Sequence, residues 1–517
     1  MPKNSYYLST PIYYVNSIPH LGTAYTTVAA DTLARFRRMC GDDVLFLTGL
    51  DEHGQKVEEA ALAHDMTPKE WCDSLAVEFQ KVWSMLNISN DMFIRTTDAF
   101  HEAAVKALAT KLYESGDIYK GTYEGWYCIP DETYWNASDI DETHICPDCG
   151  RELKFVEEEN YFFKLASYQE KLLEYYEEHP DFIGPDSRKN EVLSFVKGGL
   201  NDLSISRSNV KWGIELPWDT SHTMYVWFDA LINYLSAVGY GQEGREETFA
   251  YRWPAQIHFI GKDIIRFHCV IWPAMLMAAG IELPQRVFAH GFLLTKGEKM
   301  SKSKGNAQTP ASLVERFGVD GYRYYFMRDV SFGQDGSISL ESMVQRYNGD
   351  LANDWGNLCS RLFNMVGKYF DGLVPDASDC TDEGEGADLK QIAAALFGKY
   401  KGRMDKLDYA GALEETWELV KATNRYIELS APWALAKDEA QLPRLKAVIY
   451  NALEAVRIAA LYTAPVMPET SAQVWKRMGL GDIVSVDDIE DRTSWGLLPV
   501  GNSVEKGESL FPRITEE

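Results

Sequence analysis

The 517-residue chain carries 51 Lys and Arg against 77 Asp and Glu, a net charge of −26, with 45% hydrophobic and 25% charged residues. That is ordinary globular composition, enough for three or four domains, and it excludes wholesale disorder. No apolar run approaches the roughly 18 residues of a membrane span, the start Met1–Tyr6 lacks a secretory pattern, and 8 scattered Cys make no disulfide scaffold. A protein of the reducing cytoplasm, without a membrane partner, is expected. The acidic balance argues against non-specific duplex binding, which needs a positive field. Local basic patches remain, at Arg35, Arg37 and Arg38, and at Lys296, Lys299, Lys302 and Lys304. Each on its own reads as a solvated face.

The N-terminal third alternates strand and helix. Tyr6–Thr10 predicts a short buried strand that enters a Pro-punctuated loop from Pro11 to Pro19. A helix follows, with Val28, Thr32 and Phe36 on one face. Val44–Gly49 is a second strand-length apolar run, ending in Asp51-Glu52-His53-Gly54. Polar residues at the ends of parallel strands are where α/β sheets bind ligands. Helical periodicity then covers Pro68–Leu86 and His101–Ser115. From Asp117 to about Met224 the texture changes to short strands, acidic clusters and a Cys-bearing segment, which predicts an insertion. The α/β pattern resumes over Tyr225–Asp229, Ile257–Gly261 and Val287–Leu294. Beyond Asp350 the chain is almost wholly helical, with a polar loop at Asp376–Asp388. The expected architecture is a split α/β domain, an insertion and a C-terminal helical bundle.

Two short motifs carry chemistry. Pro19-His20-Leu21-Gly22-Thr23 sits between the first strand and its helix, where unpaired N–H groups and the positive dipole end suit a phosphate. Alone it is more often a turn with a satisfied His. Lys299-Met300-Ser301-Lys302-Ser303 lies between Gly297 and Gly305, a loop that could close over a triphosphate and neutralise developing charge. Alone it is as readily a solvated basic loop.

Together they resemble the paired signatures of class I aminoacyl-tRNA synthetases, His-Ile-Gly-His and Lys-Met-Ser-Lys-Ser, with Leu21 and Thr23 as departures in the first. The stretches Ser9–Asn16, Gly49–Gly54, Tyr225–Ala230, Phe259–Asp263, Asn357–Arg361 and Ala431–Trp433 narrow the resemblance to the methionyl-tRNA synthetases, in order and over nearly the whole chain. The resemblance implies a Rossmann-type parallel-sheet domain (1–116 and 225–300) split by a connective-peptide insertion (117–224, with a Cys-bearing knuckle at 126–160). A closing loop and stem-contact segment (301–350) and an α-helical anticodon-binding domain (351–517) follow. It implies ATP-dependent attachment of methionine to tRNA(Met) through a methionyl-adenylate, for initiation and elongation. A catalytically silent, tRNA-binding relative is the alternative, and joint retention of His20, Asp51, Lys299 and Lys302 argues against it.

Carried over by position, the resemblance implies a methionine pocket of Ile12, Tyr14, Asp51, Trp227, Ala230, Leu231, Tyr234, Ile264 and His268. Aromatic walls suit a polarisable thioether. The Tyr14 hydroxyl and His268 could hydrogen-bond its sulfur, and Asp51 could pair with the ammonium. For ATP it implies His20, Gly22 and Thr23 at the phosphates, Gly261 and Asp263 near the adenosine, and Lys299 and Lys302 on the closing loop. Mg²⁺ would escort the pyrophosphate. His20, Lys299 and Lys302 are the catalytic candidates. In the bundle, Asn357, Arg361 and Trp433 would read the anticodon. The knuckle residues Cys128, Asp131, Cys146 and Cys149 leave two readings open. They could form a structural Cys₃Asp zinc site, or a metal-free insert in which Cys146 and Cys149 are remnants. Ending at Glu517 without the further domain that some dimeric relatives append, the chain is expected to be a monomer.

Overall fold

The computed structural model of the chain describes residues 4–129, 133–135, 140–295, 298–299, 308–380, 385–483 and 486–515. Its central sheet has six strands: β1 (Ser5–Tyr14), β2 (Asp43–Asp51), β3 (Met92–Arg95), β4 (Ile183–Gly184), β5 (Ile257–Gly261) and β6 (Val287–His290). They lie in the order β3-β2-β1-β5-β6-β4, every pair parallel. Near-continuous apolar runs such as Val44–Leu47 suit strands covered on both faces. Between β1 and β5 the strand order reverses direction. Such switch points open a crevice at the carboxyl ends of the strands.

β1 is longer than its apolar run predicts. It continues through Pro11 to Tyr14, and its register against β2 shifts between Ser9 and Ile12. Pro11 has no N–H for the ladder, and the irregularity accommodates that lack. Ile12 and Tyr14 are therefore held on a strand end instead of a loop.

Helix α1 (Leu21–Met39) follows, its buried side facing the sheet. The arginines at its end are not a solvated patch. Arg35 bonds Asp31 at 2.7 Å, Arg37 bonds Asp42 at 2.7 Å, and Arg38 bonds Asp91 at 2.7 Å. Arg35 also donates to the Asn87 carbonyl at 2.6 Å, so that it and Arg38 hold α1 to the segment before β3, and Arg37 and Arg38 complement the negative end of the helix dipole. Further on come helices Pro68–Met85 and α2 (Ala99–Glu114). The insertion is built on antiparallel strands Ile118–Cys128 and Lys154–Phe163, yet it also supplies β4 at the edge of the central sheet. Tyr225–Asp229 is not a strand. It opens the short helix α3 (Val226–Ala230), followed by the equally brief α4 (Asn233–Ser236).

Past the sheet, strands Leu293–Thr295, Glu298–Lys299 and Gly336–Ile338 form a small platform. Helix α5 (Pro310–Asp329) is broken at Gly318, where φ is +72°. A wide-turned helical segment, Tyr347–Gly356, leads into α6 (Asn357–Phe370). A helix at Glu385–Met404 starts inside the stretch expected to loop, and α7 (Tyr409–Ser430) and α8 (Leu442–Thr463) complete the bundle centre. The bundle shares one apolar core with α1. Within that junction Arg323 of α5 is fully buried and donates to Asp31 at 2.6 Å, to the Val466 carbonyl at 2.8 Å and to the Pro465 carbonyl at 3.0 Å. Removing one partner of such a buried pair would strand a charge, at about 3–5 kcal/mol. Among the described residues no helix is long and apolar enough to cross a membrane.

Candidate functional site

Three of the strand ends, those of β1, β2 and β5, bring candidates to the crevice. At the start of α1, the His20 imidazole is itself the helix cap. Its Nδ1 accepts from the Gly22 N–H at 3.0 Å and the Thr23 N–H at 3.3 Å. A ring whose Nδ1 accepts carries its proton on Nε2. Thr23 closes the box: its hydroxyl accepts from the His20 N–H at 3.1 Å and donates to the His20 carbonyl at 2.8 Å. The absence of a side chain at Gly22 permits this, because a Cβ there would lie 3.0 Å from the His20 ring. The first-turn N–H groups that could cradle a phosphate are thus covered by the imidazole, and the Thr23 proton is engaged in the cap.

Across the crevice, Gly261 ends β5 and Asp263 sits in the turn Lys262–Ile264. A Cβ on Gly261 would come within 2.5 Å of the Asp263 carboxylate, so glycine is needed for that approach. Lys262 between them bonds both oxygens of Asp335 at 2.8 Å, tying the turn to the small platform. The Lys299 backbone lies on that platform in strand Glu298–Lys299. Lys302 lies outside the described residues.

A narrow recess opens beside β1 and β2. It is lined by Ile12, Asp51, Trp227, Ala230, Leu231, Tyr234 and His268, seven of the nine pocket residues expected from sequence, together with Pro11 and Asn233. Tyr14 reaches it edge-on, 5.9 Å from the Trp227 ring. Trp227 stacks on Phe267 at 3.9 Å and 11°. Ile264 contributes its carbonyl, which accepts from His268 Nδ1 at 3.0 Å. His268 lies in a wide helical turn, Phe267–Ile271, a conformation common at functional sites. Burial pushes its imidazole down to about 4, so the ring is neutral at neutral pH. With Nδ1 donating, Nε2 accepts from the Tyr234 hydroxyl at 2.7 Å. In this arrangement His268 has no N–H left for a thioether, unlike the expectation. Tyr234 is held from behind by His258, stacked at 4.0 Å, whose Nδ1 meets the Ser9 hydroxyl at 2.7 Å.

Sequence reasoning missed Asn233, Phe267 and His258. It also left Asp229 without a role, although Phe228-Asp229-Ala230 was part of a recognised stretch. Asp229 accepts from His53 Nδ1 at 2.7 Å and from His101 Nε2 at 2.8 Å.

In the bundle, Asn357 and Arg361 lie one turn apart on α6, with Asn357 exposed. Arg361 bonds Glu428 of α7 at 2.6 Å, which brings the two helices together five residues before Trp433. Between them Ala431 adopts a left-handed conformation, φ +45° and ψ +60°. Such strain in a non-glycine residue costs about 1–3 kcal/mol. It turns the chain into the short helix Pro432–Leu435, on which the Trp433 side chain is 42% exposed.

In the insertion the thiols of Cys128, Cys146 and Cys149 lie within 4.8 Å of one another. Cys128 and Cys149 are 3.5 Å apart, close to the roughly 3.8 Å between thiolates that share a tetrahedral zinc at 2.3 Å. The Gly150 N–H bonds the Cys146 carbonyl at 2.9 Å, closing a tight turn with Gly150 at φ +72°. The donor set fits a structural zinc ion. Asp131, the expected fourth ligand, lies outside the described residues.

A parallel sheet with its site at the switch point, a His-Gly signature capping the first helix and a helical bundle presenting an exposed Trp define a class I aminoacyl-tRNA synthetase. The family model described as tRNA synthetases class I (M) matches residues 6–154 and 149–363, and that of the anticodon binding domain of methionyl tRNA ligase matches residues 374–517. The methionine--tRNA ligase of Caldanaerobacter subterraneus subsp. tengcongensis is 50% identical over 520 residues, covering 100% of this chain and 80% of that protein. The Streptomyces coelicolor ligase is 46% identical, covering 99% and 97%. Mycobacterium tuberculosis methionyl-tRNA synthetase in complex with methionyl-adenylate superposes with a TM-score of 0.94 at 44% identity, over 99% of this chain and 100% of that one. Its apo form gives 0.87 at 41% identity, over 100% and 99%. The chain belongs to the methionyl-tRNA synthetase family.

Proposed function

We infer that the protein attaches L-methionine to tRNA(Met) in two ATP-dependent steps. The methionine carboxylate attacks the α-phosphorus of ATP and releases diphosphate; a terminal ribose hydroxyl of the tRNA then takes the methionyl group and releases AMP. The observation that carries this reading is the recess at the switch point, lined by seven of the residues that the family pattern assigns to methionine.

The carboxylate is already ionised near neutral pH, so the first step needs no general base. The chain's contribution is placement and charge stabilisation. Asp51 pairs with the ammonium, Trp227, Tyr234, Ala230, Leu231 and Ile12 enclose the thioether chain, and Tyr14 supplies a hydroxyl donor to the sulfur. For His268 to join that contact, Tyr234 must first release Nε2 and the ring must shift its proton. At the phosphates, the neutral His20 ring donates from Nε2, and swinging it away uncovers the Gly22 and Thr23 N–H groups. Gly261 and Asp263 face the adenosine. Lys299 and Lys302 close over the triphosphate, with Mg²⁺ as its counter-ion.

The work divides as the sequence suggests: 1–116 and 225–300 for adenylate chemistry, 117–224 for the acceptor end, 301–350 for closure and stem contact, 351–517 for the anticodon through Asn357, Arg361 and Trp433. Cys128, Cys146 and Cys149, with Asp131, would hold a zinc ion that cross-links the insertion and takes no part in the reaction. The chain is taken to act as a monomer; a stable dimer in sedimentation would overturn that. The setting is the cytoplasm, where tRNA and ATP are available. The test is amino-acid-dependent ATP–pyrophosphate exchange on the purified chain. Exchange with methionine alone, slowed in Lys302→Ala, is the expected result. A folded, metal-replete chain that exchanges with no amino acid would leave only tRNA binding.

A further inference from the structure

Helix α3 carries Trp227 and Ala230, yet it is 5 residues long and its N-cap has no side-chain hydrogen bond. A helix that short has barely one turn of its own, so nothing local fixes its direction. Trp227 nevertheless has to stand at a set distance from Asp51, which lies on β2, on the far side of the insertion in sequence. Asp229, at the buried face of α3 and 1% exposed, bridges that gap. One carboxylate oxygen accepts from His53 Nδ1 at 2.7 Å, two residues beyond Asp51; the other accepts from His101 Nε2 of α2 at 2.8 Å. His101 Nδ1 in turn meets the Ser236 hydroxyl at 2.8 Å, on α4, which also carries Tyr234. Burial alone would raise the Asp229 carboxyl, but His53 and His101 outweigh it and hold it below the usual carboxylate range. Burial would lower His53, and Asp229 reverses this, leaving it above the usual imidazole range.

We propose that His53, Asp229 and His101 form a buried clasp that sets the methionine pocket, with Asp229 as the positioning residue that holds Trp227 and Ala230 opposite Asp51. The contacts of the clasp run to the segment just past β2, which carries Asp51, to α2 and, through Ser236, to α4, which carries Tyr234. Its effect therefore falls on methionine and not on ATP. Charge-assisted hydrogen bonds in a dry site are short and directional, and both oxygens of Asp229 are used, so the helix has one seating. This inference rests on the pocket reading above.

The test measures KM for methionine and for ATP separately in pyrophosphate exchange, with thermal unfolding alongside. Asp229→Asn keeps the shape and removes the charge that draws both imidazoles in. The expected result is a methionine KM raised at least tenfold with the ATP KM within twofold. A second pair protects against misfolding of that variant. Asparagine at 53 offers an N–H where Nδ1 stands, so His53→Asn should retain most of the methionine affinity that His53→Leu loses. An unchanged methionine KM in Asp229→Asn, or equal rises for methionine and ATP with a lowered melting temperature, would overturn the clasp, as would equal behaviour of the two His53 variants. A wild-type chain without methionine-dependent exchange would instead overturn the pocket reading itself.

Discussion

The recess proposed for methionine and the face proposed for the anticodon are built in opposite ways. In the pocket, Tyr234 is 1% and His268 2% exposed, and the polar atoms of both are engaged by neighbours before any ligand arrives. On the bundle, Trp433 is 42% exposed and Arg361 is held by a half-exposed partner, Glu428. A small ligand that must be told from its near relatives needs a cavity of fixed shape, since one methylene is worth only about 1–3 kcal/mol of discrimination. A large RNA loop brings many contacts of its own and needs exposed rings and edges on which its unstacked bases can settle. Burial belongs to the first site and accessibility to the second.

Substitutions can break that contrast, and the largest effect is expected in the pocket. Asp51→Asn removes the charge facing the ammonium in a buried setting, where losing one partner costs about 2–5 kcal/mol. Exchange with methionine should fall about a hundredfold or more, and tRNA charging with it, because no adenylate forms. Next comes Trp433→Ala. Base–aromatic stacking is worth about 1–3 kcal/mol, so charging of tRNA should drop about ten- to a hundredfold while exchange stays near wild type. Equal loss of both steps would erase the division between the two regions.

The pH dependence sharpens the buried side. His268 is depressed to about 4 in the fold, against an unfolded value near 6.5. The unfolded chain therefore binds the extra proton first. The stability this group contributes is complete above about pH 6.5 and is lost as pH falls through that window towards 4, roughly 3 kcal/mol in all. His258 and His290, also depressed by burial, act with the same sign; His53, raised by Asp229, acts against them. Urea unfolding between pH 7 and 4.5 should show a steeper loss in the wild type than in His268→Asn. The smallest effect belongs to the exposed side. Glu428→Ala breaks a surface ion pair worth about 0–1 kcal/mol, so the tRNA KM should move less than about threefold.

The same contrast explains what could be read from the sequence. That these residues gather around one recess was legible because they come in short, ordered stretches: Ile12 with Tyr14, and Trp227 with Ala230, Leu231 and Tyr234. The parallel sheet was legible from Val44–Leu47 and Ile257–Ile260. What escaped depends on contacts between distant segments. Asp229 lies 176 residues from His53 and 128 from His101, and no spacing rule connects them. Arg37 and Arg38 looked like a basic patch until the fold set Asp42 and Asp91 beside them. Pro11 looked like the end of a strand because proline lacks the N–H for a ladder, and only the register shift shows how β1 continues. His20 and Thr23 were read as phosphate donors. That they also cap each other's backbone follows from the geometry of the turn.

The most direct test of the account is a crystal structure of the chain with methionyl-adenylate bound. The thioether is expected inside the recess between Trp227, Tyr234 and His268, the ammonium within hydrogen-bond distance of the Asp51 carboxylate, and the phosphate beside His20 at the start of α1. A methionyl group lying outside that recess, or an ammonium held away from Asp51, would contradict it.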